Sequence, residues 1–223
     1  YGNDMLTDFT QQMIYGHTTG EAFNYANTKN KSNYTEIPVI AGNINKSWAN
    51  ATVKNGDFES NDSSPRYWNY SGDVRILDSL GSYVHDNNLL FMSTGIGSKS
   101  DYNSSQVSQV FHIPENATTL TFSYNFISEE PMEWVGDEYD DEFLTNIYAG
   151  TSTSTVLRES TNTSTWHRTN ITNFYGGDNT MYETQWKTVT IDVEQYAGKA
   201  IKLEFNVNNV GDNTYNSAVL IDN

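Results

Sequence analysis

Cysteine is absent from the 223-residue chain. That rules out disulfides, a thiol nucleophile and thiolate-held metals, and it removes one stabilising device open to exported proteins. Basic residues are scarce, 12 Lys and Arg against 28 Asp and Glu, for a formal net charge of −16. Such a balance argues against nucleic acid, whose phosphates need a basic surface, and against an anionic lipid surface. It suits divalent cations, uncharged ligands such as glycans, and plain solubility. No apolar run reaches the length of a membrane span. The opening residues YGNDMLTDFTQ lack the layout of a signal peptide. On that basis an exported protein would have lost its signal or carry it upstream.

Hydroxyl and amide residues fill the space that charge and cysteine leave. N-x-S/T sequons begin at Asn30, Asn33, Asn45, Asn50, Asn61, Asn69, Asn103, Asn116, Asn162 and Asn170. Composition alone would give roughly six, so ten is a mild excess. Compositional drift is one reading; a glycosylated protein of the outer cell surface is the other. In the second case Asn33, Asn50, Asn69, Asn103, Asn116, Asn162 and Asn170 are the candidate acceptors.

The apolar period changes along the chain. Leu6, Phe9, Met13 and Ile14 lie near helical spacing, as do Ala22, Phe23 and Ala26. Thr18 or Thr19 could cap the second turn, with Glu21 at its positive end. From about Val53 the period is two. Leu120, Phe122, Tyr124 and Phe126 alternate with polar residues, and so do Ile201, Leu203, Phe205 and Val207. Val189, Ile191 and Val193 repeat the pattern, and VRIL, LLFMST, QVSQVFHI, EFLTNIYA and AVLID are shorter candidates. Gly, Asn, Asp and Ser clusters separate them. The expected fold is mostly β, an antiparallel β-sandwich or jelly roll with a short N-terminal helical segment. We divide the chain into a helical arm and linker at 1–45 and a sandwich at 46–223. The Ser/Thr-rich segment 151–172 reads as a surface excursion with one short strand.

The stretch FISEEPMEWVGDEYDDEFLTNIY holds eight acidic side chains and no Lys, Arg or His. Glu129, Glu130, Glu133, Asp137, Glu138, Asp140, Asp141 and Glu142 fall within fourteen residues. Like charges at that density repel, so ordering the segment without a counter-ion is costly. Calcium takes six to eight oxygens in irregular geometry, and an all-oxygen donor set suits it better than zinc. The ordinary alternative is a solvated acidic loop. Trp134, Val135 and Phe143 favour an anchored loop. A second acidic set, Asp57 and Glu59 in NGDFES and Asp222 in VLIDN, flanks the β region and could share one ion.

Catalytic patterns are weak. His17, His85, His112 and His167 are scattered, and neither a G-x-S-x-G elbow nor a phosphate loop is present. Paired carboxylates for glycoside hydrolysis stay open, because only a fold can place them. Aromatics offer a binding site instead: Tyr67, Trp68 and Tyr70 cluster in PRYWNYSGD, while Trp134 and Tyr139 sit in the acidic loop. Trp68, Trp134 and Tyr139 are the candidate ligand-binding residues, able to stack on a sugar ring or seat a peptide. A Trp beside a strand start is equally at home in a core.

The order NGDFES, RYWNYSGDVRIL, LLFMSTG, QVSQVFHIP, TLTFSYNFISEEPMEWVGDEYDDEF and NSAVLIDN resembles a jelly-roll module of secreted bacterial and archaeal surface proteins and adhesins. That module is related to carbohydrate-binding modules of the galactose-binding type, and the resemblance covers about residues 53–223. It implies a structural calcium cofactor, with Glu129, Glu130 and Asp141 as the acids most suited to hold it. Glu59 and Asp222 fit an ion site near the sandwich ends, and Asp57 and Asp137 complete the candidate metal set. It also implies binding rather than catalysis; the bound ligand varies across such modules, sugars in some and peptide termini in others, so it does not carry over. The expected partners are further copies of the chain or other surface proteins and a glycan or peptide ligand, at an extracellular location. MIYGHTTGEAFNYAN is similar to the last helical segment of gingipain-type, caspase-like cysteine peptidases, which would make the chain the C-terminal part of a larger precursor. The final strand stops directly after VLID. An open sheet edge there would suit a self-assembling subunit of a surface layer or filament. The alternative is a soluble glycan-binding module attached to a secreted hydrolase.

Overall fold

A computed structural model describes residues 52–60, 63–78, 88–95, 101–130, 132–169 and 180–223, with Phe9, Gln11, Gln12, Ala22 and Ala26. Those five early residues are helical, and Gln12, Ala22 and Ala26 are buried. The rest of the expected helical arm, and its boundary at residue 45, lie outside the described residues.

The described strands are β1 (Asn69–Ser71), β2 (Asp73–Leu77), β3 (Leu89–Ser93), β4 (Ser104–His112), β5 (Thr119–Ser128), β6 (Glu142–Ala149), β7 (Ser152–Ser160), β8 (His167–Thr169), β9 (Met181–Glu183), β10 (Lys187–Asp192), β11 (Ala200–Asn208) and β12 (Ser217–Asp222). They form two sheets. The first runs β1-β4-β11-β6-β7; the second runs β2-β3-β12-β5-β9-β8, with β10 also paired to β5. Every pairing is antiparallel. The fold is thus the β-sandwich that the period-two pattern predicts.

Alternation decides which side chains meet. Val107, Phe111, Phe143, Ile147, Ile201, Leu203, Phe205 and Val207 point inward from the first sheet. Phe122, Tyr124, Phe126, Val219 and Ile221 answer from the second. Phe205 lies at the centre of the ring contacts, 4.9 Å from Phe122 edge-on and 6.2 Å from Phe143. The second sheet is buried on both faces at its middle. Leu90, Met92, Val219 and Ile221 belong to the inter-sheet core, while the intervening Leu89, Phe91, Ala218 and Leu220 join Ile127 and Met181 in a second apolar cluster. Hence LLFMST and VLID read as continuous apolar runs.

One residue carries the chain between sheets. β1 ends at Ser71 and β2 starts at Asp73. Gly72 between them has φ +80, and a Cβ there would lie 2.8 Å from the Ser104 carbonyl oxygen. Segment 151–172 differs from its expectation: Ser152–Ser160 is a nine-residue strand on the edge of the first sheet. Its residues 152–155 are exposed hydroxyls, so no apolar period marks that half and the ladder to β6 holds it, while Val156 and Leu157 pack on the core.

Candidate functional site

The acidic stretch forms the corner between β5 and β6. Ser128 ends β5, Glu129 and Glu130 follow, a 3₁₀ turn spans Met132–Trp134, and β6 begins at Glu142. The loop joining β11 to β12 lies against this corner. Gly211 makes the approach possible: it has φ +97, and a Cβ there would lie 2.9 Å from the Glu138 carbonyl oxygen and 3.2 Å from Tyr139 Cα. Main-chain bonds hold the pieces, from Glu129 N–H to the Asn216 carbonyl and from Thr161 N–H to the Asp141 carbonyl, both at 2.9 Å.

The acids do not share one environment. Glu133, Asp137 and Glu138 are exposed, whereas Glu129, Glu130 and Asp141 are 0%, 2% and 2% exposed. Asp141 accepts hydrogen bonds from Val210 N–H (2.9 Å) and the Ser217 hydroxyl (2.7 Å). Burial still outweighs those bonds, and with repulsion from Asp212 and Asp140 it pushes the Asp141 carboxyl up to about 7. Burial, then repulsion from Asp141 and Asp212, pushes Glu130 up to about 8. Neutral oxygens stand beside them. Asn216 is fully buried, and its Oδ1 accepts from the Thr94 hydroxyl (3.1 Å) and Asn209 Nδ2 (3.2 Å).

A second part of the corner carries its own counter-ion. Arg158 of β7 donates to Glu142 Oε2 (2.8 Å) and Asp140 Oδ2 (2.9 Å). Burial alone would raise the Asp140 carboxyl, but the Asn162 N–H and the guanidinium hold it below its usual range. Neither Arg158 nor Asp212 lies within the acidic stretch, and strand pairing alone brings Arg158 there, opposite Leu144.

Whether the donors fit calcium turns on their chemistry. They are carboxylate, amide and hydroxyl oxygens, which suit a hard cation. Among the described residues, no three Asp, Glu or His side chains converge closely enough to hold an ion. Carboxylates alone therefore make no site, and an ion here would need neutral oxygens as well.

The other acidic set is divided. Asp57 is exposed and accepts from Glu59 N–H at 3.4 Å. Glu59 accepts from Asn88 N–H (3.0 Å) and Asn88 Nδ2 (3.3 Å). Asn88 precedes Leu89, and the ladder pairs Leu90 with Ile221, so Glu59 reaches the end of the second sheet where Asp222 lies buried.

The aromatic candidates also separate. Trp134 is 42% exposed and stands edge-on to half-buried Tyr139 at 5.7 Å. Trp68 is not an exposed platform: it packs on Phe58 (5.6 Å) and Phe205 (6.1 Å), and its indole N–H donates to the Asn55 carbonyl. It is a core anchor, and Tyr67 and Tyr70 beside it are the exposed rings. Among the sequons, Asn69, Asn103 and Asn116 are exposed. The Asn162 amide is engaged, accepting from Gly136 N–H and donating to the Asp137 carbonyl. Asn33, Asn50 and Asn170 lie outside the described residues.

No known protein family matches the chain, and no curated protein matches it. Solved structures do. TmCBM61, in complex with β-1,4-galactotriose, aligns at 15% identity over 78% of this chain and 95% of its own, with a TM-score of 0.42. The K2 cleaved adhesin domain of Lys-gingipain aligns at 19% identity over 75% of this chain and 93% of its own, with a TM-score of 0.44. The K1 cleaved adhesin domain of Lys-gingipain from Porphyromonas gingivalis W83 aligns at 16% identity over 70% and 90%, with a TM-score of 0.40. The chain is thus similar to carbohydrate-binding modules and to gingipain adhesin domains.

Proposed function

We propose that this chain is a non-catalytic, calcium-stabilised β-sandwich of an extracellular surface protein, acting by binding or self-assembly as an adhesin module or as a subunit of a surface filament or layer. One observation carries the reading: Glu130 and Asp141 are buried together at the corner where the β5–β6 and β11–β12 loops meet. At neutral pH that pair is costly without a cation and stabilising with one. Calcium at the corner takes at most two of the Glu129, Glu130 and Asp141 carboxylates, since no three converge among the described residues, with neutral oxygens completing its shell, and ties two loops together. Buried beneath those loops, the two carboxyls are closed to a sugar ring, which disfavours glycoside hydrolysis.

A second reading rests on Trp134 and Tyr139. An exposed indole edge-on to a tyrosine is a surface on which a sugar ring can stack. It makes the chain a glycan-binding module in its own right or attached to a hydrolase.

Absolute mass by light scattering, with millimolar-range calcium and then with excess chelator, tests the first reading. An assembly that dissociates on chelation supports it. A monomer in both buffers sinks assembly and leaves binding, which a glycan array then tests with the wild-type chain and Trp134→Ala. Selective hits lost in Trp134→Ala establish the second reading; an array with none removes it.

A further inference from the structure

The interior has a gap. Between the sheets, at the end where β5 starts, lies a cavity of about 230 Å³. Its walls come from Phe111, Leu203 and Phe205 of the first sheet and Leu120, Phe122 and Ile221 of the second. Phe58 and Trp68 close one side, Ile113 and Val193 another. Protein interiors pack as densely as organic crystals, and voids larger than a water molecule are few. A cavity of roughly 150 Å³ lined by Leu, Ile and Phe is large enough to take benzene. This one is larger and has an opening, because Thr119 and Thr121 in its lining are exposed.

The lining also states what it would bind. Among the described residues, no Lys, Arg, Asp or Glu side chain contributes to it. Among the described residues the polar groups are the Thr52, Thr119 and Thr121 hydroxyls, the His112 imidazole and the Asn223 amide, none of these side chains a fixed charge to pair with a buried ion. A chain with formal charge −16 further disfavours an anion. Water needs two to four polar partners to be held firmly, and the deep wall of Phe, Leu, Ile and Val offers none. Ring edges do line it: Phe122 and Phe205 meet edge-on at 4.9 Å, and Phe58 and Trp68 lie 5.6 Å apart. A flat ring fits against such walls by the same offset and edge contacts.

We propose that this cavity is a binding site for an uncharged small molecule carrying a single aromatic ring, its ring between the sheets and any hydroxyl at the threonine mouth. The site is separate from the acidic corner and does not rest on the surface-assembly reading.

The test titrates the full chain with toluene, p-cresol and benzoate, following methyl NMR signals and the melting temperature. Toluene and p-cresol are expected to shift the methyls of Ile113, Val193, Leu203 and Ile221 saturably and to raise the melt. Benzoate is expected to bind at least tenfold more weakly. Leu203→Phe fills the cavity and is expected to weaken p-cresol at least tenfold with far-UV circular dichroism unchanged. Ala117→Leu, at the partly buried rim, serves the same purpose if Leu203→Phe does not fold. Non-saturating shifts, shifts centred on remote methyls such as Val107, equal binding of benzoate, or undiminished binding in the filled variant would each overturn the proposal.

Discussion

On the calcium reading proposed above, chelation should leave the protein with an unusual dependence of stability on pH. Glu130 and Asp141 are pushed up to about 8 and about 7, well above the values near 4 of exposed carboxyls. A group whose folded pKa exceeds its unfolded one holds more protons folded than unfolded between the two values, so stability is lost as pH rises across that interval. For these two groups the window runs from about pH 4 to about pH 8. Three decades of proton affinity correspond to about 4 kcal/mol for one group at about 1.4 kcal/mol per decade. The pair loses less than twice that, because part of the Glu130 shift is repulsion from Asp141 and vanishes once Asp141 is neutral. In a domain of this size about 4 kcal/mol is a melting shift on the order of 10 °C. Carboxyls held low, Asp140, Glu159 and Glu204, act oppositely and lose their contribution as pH falls below the ordinary carboxylate range. In chelator the melt should therefore peak near pH 5 and fall by roughly 10 °C towards pH 8. Calcium should restore the melt at pH 8 and change it little at pH 5. Asp141→Asn should flatten the chelated profile and abolish the calcium response. Scanning calorimetry at pH 4, 5, 6, 7 and 8, in calcium and in chelator, reads all of this. A chelated melt that rises from pH 5 to pH 8, or a calcium shift equal at both ends, would refute the reasoning.

Three further outcomes follow from the packing. Phe205→Ala removes the ring that meets Trp68, Phe122 and Phe143; it should cost about 3–5 kcal/mol in chemical denaturation, with the slope unchanged. Gly72→Ala forces a side chain into a left-handed turn and against the Ser104 carbonyl; it should cost more than about 2 kcal/mol, whereas Gly136→Ala, whose Cβ meets nothing within 4 Å, should cost only the strain of its φ. Expressed in a host that glycosylates N-x-S/T, the exposed Asn116 should carry glycan by peptide mapping and Asn162 should stay bare, because its amide is bound to Gly136 and Asp137.

Where side chains alternate, the fold was legible. LTFSYNF and IKLEFNV state their inner faces outright, and both became central strands. Edge strands with hydroxyl surfaces were not, since residues 152–155 are exposed and held by the ladder to β6, and only Val156 and Leu157 of that strand pack on the core. Trp68 shows the same limit from the other side: its neighbours Tyr67 and Tyr70 look alike in sequence, yet only the indole turns inward.

The acidic stretch was legible as a concentration of charge and illegible as a set of separate environments. Eight carboxyls in a row suggest one problem of repulsion with one solution, a cation. The fold divides it into three. Solvent screens Glu133, Asp137 and Glu138. Arg158, brought over by strand pairing, pairs with Asp140 and Glu142. What is left is Glu130 and Asp141, withdrawn from water beside a loop that adds Asp212 to the repulsion. Main-chain and hydroxyl donors reach Asp141 but do not offset its burial. The unresolved charge is thus smaller than the sequence suggests and far more costly per carboxyl, because desolvation scales the repulsion that water had suppressed. That concentration of cost into a few buried oxygens is why the proposed reading asks for one divalent cation rather than several at a corner of eight acids.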